Sequence, residues 1–242
     1  MCANGWLRCW PKLILKSMRQ LSIVMPVLNE AAGIAHALRA LAPLKARGVQ
    51  LIVVDGGSSD ATAQIAKACG ETVISSAPGR AVQMNAGAEL ANAPVLLFLH
   101  ADTVLPDNAD ELISEALSDG RRVWGRFDVH IAGRSRMLPL VAALMNWRSR
   151  ISGIATGDQA MFMTRTAFDA AGGFPAQQLM EDIEMSKRLR RLSRPACLRA
   201  KVITSGRRWD TRGVWRTIVL MWRLRFAYWR GAAPERLAQL YK

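Results

Sequence analysis

The sequence predicts an α/β protein in which a mixed, mainly parallel sheet carries helices on both faces. Up to Leu99, short β-branched and apolar runs alternate with stretches whose apolar residues recur at helical spacing. Acidic or glycine-rich segments follow these runs, as expected where the carboxyl ends of parallel strands meet at one edge of a sheet. The length of 242 residues is sufficient for one sizeable core.

The first predicted strand is Leu21–Leu28, a β-branched run that closes at Asn29 and Glu30. Ala31–Leu44 follows with apolar residues at helical spacing and is predicted as a helix. The next strands and helices alternate in the same way. They are the strand Gln50–Asp55, a helix ending near Cys69, the strand Thr72–Ser75, the helix Ala81–Ala91 and the strand Val95–Leu99.

The second half of the chain is less regular. Val123–Ile131 alternates between apolar and polar residues, which is typical of an exposed or edge strand. The remaining elements follow from apolar runs and helical spacing. They are the helix Met137–Trp147, the strand Ala160–Thr164, the helix Leu179–Leu192 and the strand Ala196–Thr204.

The run Val95–Leu99 ends abruptly in His100 and Asp102, as a buried strand does when its carboxyl end opens into a ligand site. A carboxylate with an imidazole two residues away suits a divalent metal, and a metal suits a phosphorylated ligand. The alternative is that Asp102 caps the helix after Pro106, although Asp107 and Asn108 are better placed for that role.

The composition is strongly basic, with 33 Lys plus Arg against 19 Asp plus Glu and a net charge of +14. Such a charge indicates anionic partners: nucleic acid, anionic lipid or a phosphorylated substrate. The four cysteines lack metal-ligand spacing, and free thiols in the cytoplasm are expected. Within residues 1–20 the apolar run Leu13–Leu15 is too short for a spanning helix, and the segment is interpreted as an N-terminal extension.

Four motifs follow predicted strands or begin a predicted helix. They are Pro26-Val27-Leu28-Asn29-Glu30, Val54-Asp55-Gly56-Gly57-Ser58-Ser59-Asp60, His100-Ala101-Asp102 and Met180-Glu181-Asp182. In this order and spacing, they resemble the family 2 glycosyltransferases of GT-A fold. The resemblance covers residues 21–209, and it implies a Rossmann-like sheet and transfer of a sugar from a nucleotide-diphosphate sugar. The small size and the segments Gly-Asp-Gln and Thr-Ser-Gly-Arg-Arg-Trp resemble, more narrowly, the short branch associated with radical-SAM and arsenosugar genes.

The resemblance also implies roles for individual residues in donor binding. The donor, UDP- or GDP-linked, would be contacted by Pro26, Leu28, Glu30, Asp55, Arg80, Ala101 and Asp102. Asp102 would hold Mg²⁺ or Mn²⁺ against the diphosphate, where the metal neutralises charge on the leaving group. His100 stands where the family commonly has aspartate, so Asp102 is either the sole protein ligand or shares the metal with His100.

For transfer itself, the resemblance implies that Asp182 is the general base of a single inverting displacement and that Glu181 supports it. The alternative is that both carboxylates stabilise the dipole of the helix that they begin. Asp158, Gln159, Arg208 and Trp209 would lie near the sugar or the acceptor.

Residues 210–242 form a basic, aromatic tail. In Val214–Arg230, arginines spaced by seven residues form one stripe, and Trp215, Ile218, Trp222, Phe226 and Trp229 form another. This amphipathic pattern suits an anionic membrane interface, so a cytoplasmic protein peripheral to the inner face of the cell membrane is expected. The alternatives are a helix packed on the catalytic domain and an oligomer contact.

Two other functions fit parts of the pattern. A sugar nucleotidylyltransferase shares the fold type, but its basic, glycine-rich first loop does not follow the first strand here. A non-catalytic membrane- or nucleic-acid-binding protein would explain the charge. No nucleic-acid-binding motif accompanies the basic residues, however, and carboxylates follow the strands where phosphates would bind.

Overall fold

The computed structural model describes residues 21–241, so the predicted extension over residues 1–20 lies outside the described part of the chain. The strands are β1 (Leu21–Val27), β2 (Gln50–Asp55), β3 (Thr72–Ser75), β4 (Val95–Phe98), β5 (Thr103–Val104), β6 (Trp124–Ala132), β7 (Met161–Thr164) and β8 (Ala196–Ser205). The helices are α1 (Ile34–Ala40), α2 (Ala42–Ala46), α3 (Thr62–Ala68), α4 (Arg80–Leu90), α5 (Ala109–Leu117), α6 (Leu138–Ser152), α7 (Arg165–Ala170), α8 (Glu181–Arg190), α9 (Arg207–Arg212), α10 (Val214–Trp229) and α11 (Pro234–Tyr241).

All of these strands belong to one sheet in the order β3-β2-β1-β4-β7-β6-β8-β5. The pairs β3–β2, β2–β1 and β1–β4 are parallel, and so is β6–β8. β7 is antiparallel to both of its neighbours, and β5 is antiparallel to β8. The predicted α/β class with a mixed, mainly parallel sheet is confirmed.

The core lies on both faces of this sheet. In β1, Ile23 and Met25 pack with Ile34 and Leu38 of α1 on one face, whereas Val24 packs with Met84 of α4 on the other. This alternation follows from the two-residue period of a strand. Because both faces are covered, β1 is apolar throughout except for Ser22 and Pro26.

Strand β6 corrects the expectation that Val123–Ile131 is an exposed or edge strand. β6 lies between β7 and β8, and its residues from Trp124 to Val129 are buried. Its polar residues lie inside because they are paired: Arg126 donates to one carboxylate oxygen of Asp128, and Arg150 donates to the other at 2.5 Å. A paired charge inside the fold produces the same alternation in sequence as a solvated face.

Several short elements differ from the prediction. The helix expected over Ala31–Leu44 is divided into α1 and α2 at Leu41. The two-residue strand β5 and the helices α7, α9 and α11 were not predicted, because segments of two to eight residues carry little periodicity. The helix expected over Met137–Trp147 continues to Ser152 as α6.

The tail forms α10, which packs on the domain along one face only. Leu224 is buried in a cluster with Met180 and Ile183, around the start of α8. Trp215, Trp222, Phe226 and Trp229 are exposed. Across residues 21–241, the structure contains no helix with the length and apolarity that a membrane crossing requires.

Candidate functional site

A cleft of about 1030 Å³ opens at the carboxyl ends of β1 and β4 and is closed on its far side by α6, α8 and α10. Most of the side chains singled out in the sequence lie along it. They are Pro26, Leu28, Glu30, Arg80, His100, Ala101, Asp102, Asp158, Glu181, Asp182, Arg208 and Trp209. Asp55 and Gln159 do not line the cleft. It is a concave site in which carboxylates and arginines face one another, at the edge where open α/β sheets bind ligands.

The loop after β1 is fixed by the loop after β2. The Asn29 N–H donates to Ser58 Oγ at 2.9 Å, and the Glu30 N–H donates to Thr62 Oγ1 at 2.8 Å. Glu30 Oε1 lies 3.5 Å from Arg207 Nη2 of α9. Burial raises the pKa of Glu30, the nearby Arg207 opposes this, and the negative charge of Asp102 adds to the increase. Glu30 and Asp102 are thus close enough for their charges to interact.

Asp55, expected at the nucleotide, instead shapes the loop that follows β2. The side chain is buried and accepts hydrogen bonds from the N–H groups of Gly57 and Ser58 and from Ser58 Oγ. Gln83, which the sequence did not indicate, does line the cleft. Gln83 Nε2 donates to the carbonyls of Val27 and Val54 at 2.8 Å, so it ties the ends of β1 and β2 together.

Asp102 is exposed in the cleft, and the hydrogen bond given to its carboxylate is a long one, 3.3 Å from Thr103 Oγ1. His100 Nδ1 lies 3.5 Å from Asp158 Oδ1. Within residues 21–241, no group of three or more His, Cys, Asp or Glu side chains is arranged to hold a metal ion. The accessible oxygens of Asp102 nevertheless suit Mg²⁺ or Mn²⁺, provided that water and a ligand's phosphates complete the coordination.

Glu181 and Asp182 begin α8 after Met180, whose φ of +67° turns the chain sharply into the helix. Asp182 Oδ2 accepts from the Gly157 N–H at 2.9 Å, and Oδ1 accepts from the Ile183 N–H at 2.7 Å. Burial and the charge of Asp182 raise the pKa of Glu181 to about 7. One carboxyl is therefore held in place by the backbone, while its neighbour binds a proton near neutral pH.

Asp158 and Gln159 lie in a short 3₁₀ turn between α6 and β7. Burial disfavours the ionised form of Asp158, but the hydrogen bond and charge of His100, together with Arg80 and Arg225, lower its pKa overall. Gln159 is buried; its side chain accepts from the Thr156 N–H at 3.2 Å and caps the turn. Asp158 is thus available in the cleft, and Gln159 supports the turn that presents it.

The carboxyl-terminal helices supply an arginine-rich wall. The guanidinium of Arg208 lies 3.6 Å from the ring centre of Tyr241, and Trp209 packs against the core while also lining the cleft. Sequence reasoning missed the other arginines that line it. They are Arg148, Arg207, Arg212 and Arg225. Only the basic composition signalled them, because an arginine in a helical pattern is usually solvated.

A family model supplies the evidence for identity. The model described as Glycosyl transferase family 2 matches residues 22–173, more than half of the chain. The chain belongs to glycosyl transferase family 2. The match covers the strand ends that carry Glu30, His100 and Asp102, and it ends before Glu181 and Asp182. The predicted family is confirmed, and the protein is a glycosyltransferase; its placement in the radical-SAM-associated branch stays a prediction.

Relatives of this family 2 glycosyltransferase include the PGL/p-HBAD biosynthesis glycosyltransferase of Mycobacterium bovis (strain BCG / Pasteur 1173P2). The two are 38% identical over 91 residues, which make up 35% of this chain and 36% of the relative. The match thus spans about a third of the relative's length. The segment is too short to transfer that protein's activity as a whole.

Solved structures of the same fold include S. aureus TarS 1–349 in complex with UDP, with a TM-score of 0.64 and 16% identity over 77% of this chain and 60% of TarS. A second is glucosyl-3-phosphoglycerate synthase from Mycobacterium tuberculosis with Mn²⁺, UDP and phosphoglyceric acid. Its TM-score is 0.58 and its identity 23% over 78% of this chain and 70% of that one. These likenesses confirm the GT-A-type fold.

Proposed function

We propose that this glycosyltransferase moves a sugar from a nucleotide-diphosphate sugar to a hydroxyl or phosphate acceptor, in one inverting step that depends on Mg²⁺ or Mn²⁺. The observation that carries the proposal is that Asp102 and Asp182 line the same cleft. Asp102 is exposed at the end of β4, and Asp182 is held by two backbone N–H groups at the start of α8. A metal-binding carboxylate and a positioned base are the two groups that such a transfer requires.

The strand side of the cleft would bind the donor. Pro26, Leu28 and Glu30 would contact the base and ribose, and Ala101 would lie beside them. Asp55 would act through the loop that it holds. Asp102 would hold the metal, either as the sole protein ligand or together with His100, and Arg80 would contact the diphosphate. When bound, the metal supplies positive charge that stabilises the departing nucleoside diphosphate. The solved relatives that contain UDP with Mg²⁺ or Mn²⁺ support this assignment.

The helix side would activate the acceptor. Asp182 would accept the proton of the acceptor's hydroxyl, or the remaining proton of a singly ionised phosphate monoester, as that oxygen bonds to the anomeric carbon. The bond from that carbon to the diphosphate oxygen breaks on the opposite face, and its electron pair leaves with the nucleotide, so the configuration inverts. Glu181 would keep a proton near neutral pH and thereby limit the negative charge beside Asp182. Asp158, Arg208 and Trp209 would position the sugar or the acceptor, with Gln159 supporting the Asp158 turn.

The tail would hold the enzyme at the inner face of the cell membrane. The exposed aromatic side chains of α10 are of the kind that settle at the depth of lipid headgroups. The stripe formed by Arg216, Arg223 and Arg230 would meet anionic lipid beside them. A helix that packs on the domain by one face can present the other to a membrane, so the packing of Leu224 is compatible with this role.

The proposal is tested by calorimetric titration of the protein with UDP, GDP and their common sugar conjugates, each with Mn²⁺ and with EDTA. We expect one nucleotide to bind in the presence of Mn²⁺ and to bind far more weakly in EDTA. Equal affinity in both conditions would contradict metal dependence. Once an acceptor is in hand, NMR of the first-formed product should show the anomeric configuration opposite to that of the donor.

A further inference from the structure

Two arginines on the helix side of the cleft carry charge that the rest of the described chain does not fully neutralise. Arg148 lies on α6 and Arg225 on α10, and both line the cleft. The Nε and Nη2 atoms of Arg148 are buried, and neither has a hydrogen-bond partner within residues 21–241. Such unpaired polar atoms are costly in a protein interior, so a ligand that pairs with them would be bound favourably.

The charges around this pair point to an anion. Burial and the like charge of Arg225 lower the pKa of Arg148 to about 10, so the guanidinium remains charged at neutral pH. Asp182 is the carboxylate that attracts both arginines, together with Asp158 for Arg225. The oxygens of Asp182 already accept backbone hydrogen bonds. Because the oxygens of Asp182 are already occupied, a further negative group can pair with the two unpaired nitrogens of Arg148.

Apolar side chains border the same end of the cleft. Leu144 and Trp147 of α6 and Trp222 of α10 line it, yet Trp147 is 63% and Trp222 72% exposed. The same helix faces carry further exposed apolar side chains at three- and four-residue spacing. They are Leu140 and Ile151 on α6 and Trp215, Val219, Phe226 and Trp229 on α10. An exposed apolar surface of this kind marks a binding site.

We propose that Arg148 and Arg225 bind the phosphate of an amphiphilic acceptor whose apolar chain lies along the surface formed by α6 and α10. This inference rests on the proposed function, because it places the acceptor beside Asp182. The unpaired guanidinium nitrogens argue for the anion, and the adjoining exposed tryptophans argue for an apolar chain attached to it. The acceptor is therefore a lipid phosphate in chemical class, and not a small soluble sugar.

The test uses dodecyl phosphate below its micelle concentration, with binding followed by tryptophan fluorescence. Inorganic phosphate supplies the charge alone, and dodecyl maltoside supplies the chain alone. We expect dodecyl phosphate to bind at least about tenfold more tightly than either, since both parts of the site are then used. Arg148→Gln and Arg225→Gln should each weaken its binding by about tenfold, and Arg121→Gln, at an exposed position outside the cleft, should not.

Two results would overturn the inference. Equal affinity for dodecyl phosphate and dodecyl maltoside would show that the phosphate adds nothing to binding and would contradict the anion site. Equal affinity for dodecyl phosphate and inorganic phosphate would show that the chain adds nothing and would indicate a soluble acceptor. Thermal unfolding of each variant shows that it is folded; loss of an unpaired buried charge at Arg148 is expected to leave its melting temperature unchanged or higher. Titration of the same samples with UDP and with GDP, each with Mn²⁺, separates the two proposals. Failure of both nucleotides to bind the unchanged protein would contradict the proposed function, whereas normal binding of one nucleotide without dodecyl phosphate binding contradicts only this inference.

Discussion

The two walls of the cleft are built differently. The strand-side wall consists of the loops that follow β1 and β4, which are neighbouring parallel strands. Glu30 and Asp102 lie on these loops. The helix-side wall brings together α6, α8 and α10, whose residues Arg148, Asp182 and Arg225 are far apart in sequence. In our account the first wall binds the donor and the second activates the acceptor, so changes on either wall should have separable effects.

The largest difference between the effect on turnover and the effect on donor affinity is expected for Asp182→Asn. Loss of a general base reduces turnover by about 10²–10⁴-fold, whereas the donor site on the other wall is untouched. Turnover is measured as nucleotide release from the donor in the presence of a lipid extract, and donor affinity by calorimetry. Asp169→Asn, on the distant helix α7, is the control. Turnover retained in Asp182→Asn would remove this residue from the role of base.

Glu181→Gln probes the pH dependence of the helix-side wall. The Glu181 carboxyl has a pKa of about 7 in the folded protein against its ordinary value of 4.5, so the folded state holds a proton that the unfolded chain releases between these values. The free energy of unfolding that Glu181 contributes therefore falls as pH rises from 4.5 to 7 and does not change further above pH 7. Relative to the unchanged protein, Glu181→Gln should gain about 2–3 kcal/mol of unfolding free energy between pH 5 and pH 8.

Urea unfolding at the two pH values checks this result. Glu184→Gln is the matched control on the same helix, where Glu184 lies near Lys187 and Arg188 at the surface. If the Glu181→Gln and Glu184→Gln variants show the same change between pH 5 and pH 8, burial of Glu181 does not control its protonation.

Gly157→Ala tests the close approach of the 3₁₀ turn to His100 on the strand-side wall. A Cβ at position 157 would lie 2.4 Å from His100 Cε1 and 2.5 Å from Nε2, so the imidazole must shift from its position. Overpacking of this kind costs about 1–3 kcal/mol, which urea unfolding measures. Gly33→Ala is the control, because nothing lies within 4 Å of the Cβ it would add. An unfolding free energy equal to that of the control would mean that His100 is not held where the structure places it.

The smallest effect on folding is expected for Trp229→Ala, on the outer face of α10. Trp229 is 79% exposed, so its loss should change the unfolding free energy by no more than about 0.5 kcal/mol. Binding to vesicles that contain anionic phospholipid should nevertheless weaken several-fold, as measured by sedimentation. Leu240→Ala, an exposed apolar change on α11, serves for comparison. Unchanged vesicle binding would contradict the membrane role of the aromatic face.

The sequence predicted the strand-side wall because its signals are local. An apolar run followed by Asn29-Glu30 or by His100-Ala101-Asp102 predicts both a strand and the polar side chains at its carboxyl end. Sequence spacing alone, however, did not show which of the predicted side chains line the cleft. Asp55 and Gln159 were expected at the ligand but form hydrogen bonds that shape their own loops.

The helix-side wall was predicted only in part, because it depends on packing between distant segments. Asp182 stood out beside Glu181 at the start of a helix, whereas Arg148 and Arg225 resemble ordinary surface arginines in sequence. Only the folded structure shows that the helices carrying them meet at one cleft and leave two nitrogens of Arg148 without partners in the described chain. Strand β6 was misinterpreted for a related reason, since the pairing of Asp128 with Arg126 and Arg150 is internal to the fold.

The assignment of donor and acceptor to separate walls is tested most directly by titrating UDP and GDP into the unchanged protein, Asp102→Asn and Asp182→Asn, each with Mn²⁺ and with EDTA. We predict that Mn²⁺ strengthens binding of one of these nucleotides on the order of 100-fold in the unchanged protein and in Asp182→Asn, and that this gain is lost in Asp102→Asn. Asp107→Asn, an exposed residue outside the cleft, should behave as the unchanged protein. A full metal effect in Asp102→Asn, or its loss in Asp182→Asn, would contradict the assignment of donor and acceptor to separate walls.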